Sequence, residues 1–348
     1  MKRILFACGF ILVCGFCSSQ NSAKKSYVIN TIAFYNLENL FDTIDNPLRK
    51  DEYSPILQIK TNKSEAYWSK IDNMARVLSE IGKTKTGKTA AVIGVCEIEN
   101  SNVLDDILNT PYFKNQPYDY IHQESPDWRG IGVALIYNTT LFSPIDYKSF
   151  ELKAWNDKSY RVKTRSQLLV SGYLDNERIY LIINHWPSQR SGKDKTAYLR
   201  KKSAELTLSI LNQIKYEESN SKIIIMGDFN DNPIDDSIKK VLESKPEKKK
   251  LKENELYNPF ENMFKKGMGS LGFRDNVNLF DQLILTSNLS TNNYKKYQFY
   301  KAGIYNPTYL TTKQGRYKGY PFRSFSNNQF TGGYSDHYPV YIYLIREQ

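Results

Sequence analysis

The pattern of apolar residues along the chain predicts an α/β protein. Apolar runs with strand-like character recur along the sequence, and some are continuously apolar, as expected of strands buried on both faces. The predicted strands cover residues 27–35, 90–96, 131–137, 167–173, 179–183, 223–226, 279–285 and 340–344. Strands and helices alternate in the first half and again near the middle, so we expect sheets that are covered by helices.

Apolar residues at helical spacing predict three helices between these strands. The first contains Trp68 and Ile81 and ends at Gly82, the second is short and covers 103–108, and the third is amphipathic and covers 195–214. No internal repeat of fixed period is present, and no Gly/Ser-rich or Pro-rich linker divides the chain. We therefore predict one large domain rather than two.

Residues 1–19 have the layout of a secretory signal peptide. Lys2 and Arg3 form a short basic region, an apolar stretch covers 4–16, and small polar residues follow. The apolar stretch is too short to span a bilayer comfortably. We predict cleavage of this segment, a mature domain of residues 20–348, and export to the periplasm, the outer surface or the medium. A lipoprotein and a retained N-terminal anchor are the alternatives.

The cysteine content and the net charge restrict the disulfides that the protein can form and the partners that it can attract. Three of the four cysteines fall in the predicted signal peptide, which leaves Cys96 without a partner for an intramolecular disulfide. Because Cys96 lies in an apolar run, we interpret it as a small buried hydrophobe rather than a nucleophile. The formal net charge of +11 favours polyanionic partners such as nucleic acid, acidic glycans or anionic lipids. Part of that charge lies in the lysine-rich stretch 245–252, which we interpret as a solvated loop.

Short polar motifs abut the predicted strands and carry the candidate chemistry. Carboxylate, amide and histidine side chains bind hard divalent cations and move protons around a phosphate. Each motif alone has a simpler interpretation, because solvent begins where a strand ends and Asp and Asn form turns. Two of the three histidines of the chain belong to this set. The motifs are Asn36 with Glu38, Glu97, Asn184-His185, Asp228-Phe229-Asn230, Asp281 and Asp336-His337.

Together and in this order, the motifs resemble the endonuclease/exonuclease/phosphatase superfamily of metal-dependent phosphoesterases. The matching segments are Tyr35-Asn36-Leu37-Glu38-Asn39, Cys96-Glu97-Ile98-Glu99-Asn100, Ile183-Asn184-His185-Trp186-Pro187-Ser188, Gly227-Asp228-Phe229-Asn230, Phe280-Asp281-Gln282 and Ser335-Asp336-His337-Tyr338-Pro339. The resemblance implies a four-layered α/β sandwich like that of deoxyribonuclease I. Two packed mixed or antiparallel sheets are flanked by helices, and the site lies at one edge between the sheets.

The resemblance also implies a metal site. Glu97 is the first metal ligand, and Asn36, Glu38 and Asp336 bind the metal directly or hold its ligands. Oxygen ligands of this kind suit Mg²⁺ or Mn²⁺, and Ca²⁺ is a third candidate. The metal polarises a phosphoryl oxygen and offsets the charge that develops during hydrolysis.

Acid–base roles follow from the same resemblance. His337 pairs with Asp281 and acts either as the general base or as a cationic hydrogen-bond donor to the phosphate. Asp228 is the other candidate base, and sequence alone does not divide the role between the two. Asn230 orients the phosphate or the attacking water.

Three further residues complete the candidate site. His185 binds the phosphate or protonates the leaving group, and Asn184 and Arg165 are candidate substrate contacts. His185 argues against a dedicated abasic-site repair enzyme, because the apurinic endonuclease branch lacks a histidine at this place. Glu38 instead favours the apurinic endonuclease branch, because that branch carries an acid at this place. The sequence therefore does not assign the chain to one branch of the superfamily.

The leading functional hypothesis is an exported, Mg²⁺-dependent endonuclease that cleaves DNA or RNA by in-line attack of water. The basic charge favours it, because phosphate contacts dominate affinity for nucleic acid. One alternative is a phosphatase or phospholipid phosphodiesterase, although the aromatic stretch 294–309 is interleaved with lysines and shows no clear membrane wedge. Another is a binding protein that has lost catalysis. No protein partner is evident, and we expect a monomer.

Overall fold

The computed structural model describes residues 25–156, 158–273 and 275–348, and the predicted signal peptide lies outside these residues. In chain order the strands are β1 Tyr27–Leu40, β2 Val92–Ile98, β3 Tyr118–His122, β4 Gly132–Asn138, β5 Phe142–Phe150, β6 Gln167–Leu174, β7 Glu177–His185, β8 Ile223–Asp228, β9 Leu256–Tyr257, β10 Leu271–Phe273, β11 Asn276–Asn278, β12 Asp281–Thr286, β13 Gln298–Ile304, β14 Phe325–Ser326, β15 Gln329–Phe330 and β16 Val340–Glu347. The α-helices are α1 Lys63–Glu80, α2 Lys83–Thr86, α3 Ser101–Leu108, α4 Lys193–Glu217 and α5 Phe260–Lys265. Short 3₁₀ helices at Asp51–Tyr53, Lys248–Lys250, Ser287–Leu289 and Thr308–Leu310 and a π-helical turn at Ser237–Val241 complete the elements.

The long strands form two six-stranded mixed sheets. The first has the order β13–β16–β1–β2–β4–β3, and the second has the order β5–β6–β7–β8–β12–β9. Only one neighbouring pair in each sheet is parallel, β1 with β2 and β7 with β8, and the other pairs are antiparallel. Two short hairpins, β10–β11 and β14–β15, lie outside these sheets.

The sheets pack face to face, with helices on both outer faces. The core between them contains residues of both sheets, such as Phe34, Leu135 and Ile183. Helices α1 and α3 cover the outer face of the first sheet, and α4 covers the outer face of the second. At Gly94 on β2, an added Cβ would lie 2.6 Å from the sulfur of Met226 on β8, so any larger residue here must displace the Met226 side chain. The prediction of a four-layered α/β sandwich is confirmed.

The structure contains the predicted strands and helices, several of them with different bounds. β1 continues to Leu40 and α4 covers 25 residues, whereas the segment after Gly82 holds the four-residue helix α2. The stretch 294–309 contributes β13, an edge strand of the first sheet, rather than a hairpin for a membrane. No helix in the described part of the chain combines the length and apolar character that crossing a membrane requires.

Topology brings the ends of six strands to one edge between the sheets. β1, β2, β7 and β8 finish at this edge, and the antiparallel strands β12 and β16 begin there. Asn36 is paired with Cys96 in the register of the first sheet. Asp228 is paired with both His185 and Asp281 in the second sheet. The polar residues that follow or precede these strands therefore meet in space.

Candidate active site

The backbone at this edge bends sharply near the end of β1, near the end of β2 and just after β8. Glu38, Glu97 and Asn230 all have positive φ, at 47°, 61° and 49°. Such a conformation is uncommon for glutamate and costs free energy of about 1–3 kcal/mol, so the surrounding contacts must enforce it. At Glu38 and at Asn230, a side-chain oxygen two residues earlier holds this conformation. Asn36 Oδ1 accepts from the Glu38 N–H at 2.9 Å, and Asp228 Oδ1 accepts from the Asn230 N–H at 2.9 Å.

Glu97, Asn36, His185 and Asp228 form the centre of the site. Asn36 Nδ2 donates to Asp228 Oδ2 at 3.1 Å and to Glu97 Oε1 at 3.4 Å. His185 Nε2 lies 3.7 Å from both Glu97 Oε1 and Asp228 Oδ2. The backbone N–H of Asn39 donates to Glu97 Oε2 at 2.8 Å and fixes the rotation of that carboxylate. These four side chains, drawn from both sheets, therefore line one pocket.

His337 and Asp281 form a buried pair beside this centre. His337 Nδ1 lies 2.6 Å from Asp281 Oδ2, and Ser270 Oγ donates to the same oxygen at 2.5 Å. Ser335 holds the loop, because its Oγ accepts from the His337 N–H at 3.1 Å and donates to the Asn36 carbonyl at 2.7 Å. The structure contains the predicted pairing of His337 with Asp281.

Burial and neighbouring charges give the titratable groups different protonation states. Burial lowers the pKa of His337, but Asp281, Asp228 and Asp336 outweigh it and hold the pKa well above its ordinary value. Burial, together with Arg165 and Arg129, lowers the pKa of His185 well below its ordinary value. Near neutral pH the imidazole of His337 is therefore cationic and that of His185 is neutral.

Asp228 titrates close to neutrality. Its burial raises the pKa to about 7, although the cationic His337 acts in the opposite direction. A carboxylate with this pKa is suited to accept a proton from water at physiological pH. Asp228 lies between His185, at 3.7 Å, and Asn36, at 3.1 Å.

Comparisons with known proteins place the chain in a family. A sequence model described as "Endonuclease/Exonuclease/phosphatase family" matches residues 31–346. The chain belongs to the endonuclease/exonuclease/phosphatase family. Its members are metal-dependent phosphoesterases, and so is this protein. A search of curated proteins finds no match.

Solved structures of this family share the fold at low sequence identity. An endonuclease/exonuclease/phosphatase family protein from Bacteroides thetaiotaomicron is 16% identical over 93% of this chain and 97% of that chain, with a TM-score of 0.55. A mannosyl-6-phosphatase from the same organism is 16% identical over 90% and 99%, with a TM-score of 0.54. Humanized D. rerio TDP2 is 14% identical over 91% and 98%, also with a TM-score of 0.54. At these identities the likeness shows the fold alone.

The centre of the site has a donor set that suits the divalent metal of an endonuclease/exonuclease/phosphatase enzyme. Within the described residues, Glu97 forms no ion pair with a lysine or arginine, and its side chain is partly exposed. Glu97 supplies carboxylate oxygens, which Mg²⁺ and Mn²⁺ prefer, whereas Asn36 turns its amide nitrogen toward Glu97 and Asp228 and its oxygen toward the Glu38 N–H. Cys96 lies close to His185 and Asp228, but burial raises the pKa of its thiol well above the ordinary value. A buried, protonated thiol is a poor ligand, so Cys96 is part of the core as predicted.

Glu38 does not have the contacts expected of a metal ligand. Its Oε1 accepts from Arg323 Nη2 at 3.1 Å, and its Oε2 accepts from the backbone N–H of Ser324 at 2.6 Å. Burial and the nearby Asp336 raise the pKa of Glu38 to about 7. Both carboxylate oxygens are therefore engaged by the loop that follows β13. Asp336 is half-exposed, and its Oδ2 lies 3.4 Å from Arg323 Nη2, so Asp336 remains the more accessible of the two.

Asn184 is a correction to the sequence-based assignment. Its side chain is fully buried, donates to the carbonyls of Ile182 and Met226, and accepts from Trp186 Nε1 at 3.0 Å. Successive residues on a strand point to opposite faces, so Asn184 faces helix α4, where Thr207 Oγ1 lies 3.4 Å from its Oδ1, because His185 faces the site between the sheets. Its contacts are structural, and its burial leaves no surface for a substrate.

Arg165 and Asn230 lie at the site but are engaged by the protein. Arg165 is buried, its Nη1 lies 3.4 Å from Asp127 Oδ2, and its Nη2 donates to the Trp186 carbonyl at 2.5 Å. Asn230 Nδ2 donates to the same carbonyl at 3.0 Å. The expected phosphate contact of Arg165 is replaced by a structural one. The role of Asn230 stays a prediction, with its amide nitrogen already occupied.

Three basic residues at the site were not found from the sequence. Arg323 bridges Glu38 and Asp336 from a loop that carries no motif. Arg129 lies near enough to His185 to lower its pKa. Lys70 is buried and donates to the Glu38 carbonyl, and burial lowers its pKa to about 8. A signal for Lys70 did exist, because it falls within the apolar stripe of α1.

Proposed function

We propose that the protein is an exported, Mg²⁺-dependent endonuclease that hydrolyses phosphodiester bonds of DNA or RNA. The observation that carries the proposal is a cleft of about 660 Å³ that reaches Glu38 and Asp336 at the edge of the site and is lined by arginine and aromatic side chains. Aromatic faces stack on nucleobases, and arginine contacts phosphate, so this combination suits a nucleic-acid strand. Export rests on the predicted signal peptide.

The cleft begins at Asp336 and continues along the loop that follows β13. Arg316, Tyr317, Tyr320 and Arg323 line it. The rings of Tyr317 and Tyr320 lie 5.8 Å apart, and the Arg316 guanidinium lies 5.9 Å from the Tyr317 ring. Tyr317 is 57% exposed, which leaves its face accessible to a base.

A second group of basic and aromatic residues lies on the loop between β3 and β4. Arg129 is close to His185, and its guanidinium lies 5.8 Å from the ring of Trp128. Trp128 is half-exposed and packs edge-to-face against Tyr53, at 6.4 Å between ring centroids. Two separate loops thus supply stacking faces and positive charge, which favours a polymer over a compact phosphoester.

The protonation states support a division of acid–base roles. Glu97 would hold the divalent ion, which would supply Lewis-acid polarisation of a phosphoryl oxygen. Asp228, with its pKa near 7, takes the proton of the attacking water. His337, held as a cation by Asp281, donates a charge-assisted hydrogen bond from Nε2 to the phosphate. His185 is neutral and lies 3.7 Å from both Glu97 and Asp228, and its contact with the phosphate or the leaving group stays a prediction.

Hydrolysis of plasmid DNA, a single-stranded oligonucleotide and mannose 6-phosphate tests the proposal. With Mg²⁺ we expect cleavage of the nucleic acids, loss of cleavage in EDTA, and a loss of about 10²–10⁴-fold in His337→Ala. Tyr317→Ala should weaken oligonucleotide cleavage mainly through KM. Glu177→Gln alters a buried ion pair at the opposite end of β7 and serves as the matched control for stability.

Two results would redirect the proposal. Metal-dependent release of phosphate from mannose 6-phosphate without nucleic-acid cleavage would favour a phosphatase. No hydrolysis of any substrate, including phospholipid vesicles, by a folded and metal-binding protein would favour a binding protein. Export is tested by fractionating cells and sequencing the N terminus of the mature protein, and an intact N terminus at residue 1 in the cytoplasm contradicts it.

A further inference from the structure

An acidic loop lies apart from the catalytic centre, between β1 and the 3₁₀ helix Asp51–Tyr53. Its carboxylates gather around one point and are joined there by a glutamate that follows β2. None of these residues forms an ion pair with a lysine, arginine or histidine in the parts of the chain described, 25–156, 158–273 and 275–348. The members of this acidic loop cluster are Asp42, Asp45, Asp51, Glu52 and Glu99.

Asp51 is the buried member of the acidic loop cluster, with 1% of its surface exposed. Its Oδ2 accepts from the Asn46 N–H at 2.8 Å, but its Oδ1 has no hydrogen-bond partner among the described residues. Glu99 is also buried, and its carboxylate lies within hydrogen-bonding reach of Asp51. Two buried carboxylates in contact, without a basic partner, repel each other and lose hydration.

The remaining acids are arranged to coordinate a cation. Ligand oxygens of Asp45, Asp51 and Glu52 all lie within 4.8 Å of one another. Two oxygens on opposite sides of a Ca²⁺ ion, each about 2.4 Å from it, have this separation. Asp45 and Glu52 are exposed, so their carboxylates face incoming ions from solvent. Asp42 instead shapes the loop, because its oxygens accept from the Ile44 N–H at 2.7 Å and from Asn100 Nδ2 at 3.0 Å.

We propose that Asp45, Asp51 and Glu52 bind a structural Ca²⁺ ion. Ca²⁺ is favoured over Mg²⁺ because the donors are all oxygens on an irregular loop, and Ca²⁺ tolerates irregular geometry whereas Mg²⁺ requires a near-ideal octahedron. The bound ion would give Asp51 Oδ1, which lacks a hydrogen-bond partner among the described residues, a positively charged neighbour. The site is separate from the catalytic metal centre at Glu97.

The acidic loop cluster adjoins residues that contact the loop between β3 and β4, which carries Trp128 and Arg129. The Lys50 N–H donates to the Trp128 carbonyl at 3.0 Å, and Tyr53 packs against the Trp128 ring. Arg49 Nη1 donates to the Asp127 carbonyl at 3.3 Å. Ca²⁺ binding therefore orders the segment on which the loop between β3 and β4 rests.

Calcium titration of the full chain tests the proposal, with excess Mg²⁺ present to saturate the catalytic centre. We expect millimolar Ca²⁺ to raise the Tm by several degrees, because a ligand that binds only the folded state stabilises it. Asp51→Asn keeps the size and the acceptor for Asn46 but removes the charge, and should abolish the shift. Isothermal titration calorimetry should show that Asp51→Asn binds Ca²⁺ at least tenfold more weakly than the wild type.

Three further variants distinguish this site from the catalytic metal centre and from a general effect of removing an acidic charge. Glu97→Gln, at the catalytic centre, should keep the Ca²⁺ shift. Asp236→Asn, an exposed acid paired with lysines elsewhere, should also keep it. If Asp51→Asn does not fold, Glu52→Gln decides the question, since its exposed side chain can change without disturbing the core.

Two outcomes overturn the proposal. The first is a Ca²⁺ shift that disappears in Glu97→Gln and persists in Asp51→Asn or Glu52→Gln, since the ion then binds only at the catalytic centre. The second is a wild-type protein that does not respond to Ca²⁺ while Asp51→Asn raises the Tm in EDTA. In that case a shared proton between Asp51 and Glu99 relieves their repulsion, and no cation is required.

Discussion

Asp281→Asn tests the pairing on which the acid–base chemistry depends. Asp281 is fully buried, and its Oδ2 lies 2.6 Å from His337 Nδ1. The amide keeps the size and an acceptor oxygen but removes the charge. Burial then meets less opposition, because only Asp228 and Asp336 still raise the pKa of His337, and the pKa falls from its raised value. The imidazole therefore spends less time as a cation in the working pH range.

The magnitude follows from the bond that is lost. Removing one partner of a buried ion pair costs about 3–5 kcal/mol when the other charge remains. His337 can release its proton instead, so we expect the smaller cost of one charged hydrogen bond, about 1.5–3 kcal/mol. Loss of the cationic donor should lower kcat/KM by about 10²–10⁴-fold.

The pH dependence has a defined sign. Because the folded pKa of His337 is raised, the stabilisation by the pair is complete below the unfolded value of about 6.5. It is lost as the pH rises through the raised folded value. The difference in Tm between wild type and Asp281→Asn should therefore be largest in mildly acidic buffer and shrink at alkaline pH.

The assay is a pH–rate profile of phosphodiester hydrolysis in saturating Mg²⁺, with Tm measured in the same buffers. Glu177→Gln is the matched control, because Glu177 lies 2.5 Å from Lys222 in a largely buried pair distant from the site. It should lower the Tm without changing the profile. An alkaline limb that is unchanged in Asp281→Asn would refute the assignment of His337 as the cationic donor.

Two further predictions concern the strands that carry the site. In Gly227→Ala, the new Cβ would lie 2.3 Å from the Asn184 carbonyl oxygen, so we expect a loss of about 1–3 kcal/mol or more in stability and reduced activity as β7 and β8 separate; a Tm equal to wild type contradicts this. Asn184→Ala leaves Trp186 Nε1 without its acceptor and should cost about 1–3 kcal/mol, with KM unchanged. A raised KM at unchanged Tm would restore Asn184 as a substrate contact.

The strands that the sequence predicts are those buried on both faces. β2 and β8 read as continuous apolar runs because both sheets and their helices enclose them. β3, β5 and β13 were missed because they lie at or beside sheet edges and expose one or both faces. In β5 most residues are exposed, so neither an apolar run nor a clean alternation marks it.

The sequence predicted which residues meet at the site where each stands in a local motif, and it missed contacts between residues that lie far apart in the chain. Glu97, His185 and Asp228 were identifiable because each ends a buried strand, and the structure brings them together, whereas their catalytic roles stay predictions. Glu38 was assigned to the metal because no local feature shows that Arg323, 285 residues later, occupies its carboxylate. The error for Asn184 was avoidable, since a residue adjacent to His185 on a strand must point to the opposite face.

Several main contacts of the site join the two sheets. Asn36 on the first sheet donates to Asp228 on the second, and His185 on the second faces Glu97 on the first. The catalytic distances therefore depend on how closely the sheets pack, and Gly94 on β2 lies against the Met226 side chain on β8 where the sheets meet. A substitution that enlarges Gly94 would crowd this flexible side chain, which must shift or let the sheets separate, although Gly94 lies inside the core and carries no chemistry. Core packing and catalysis are consequently coupled in this fold, because the site is built from side chains that no single sheet could bring together.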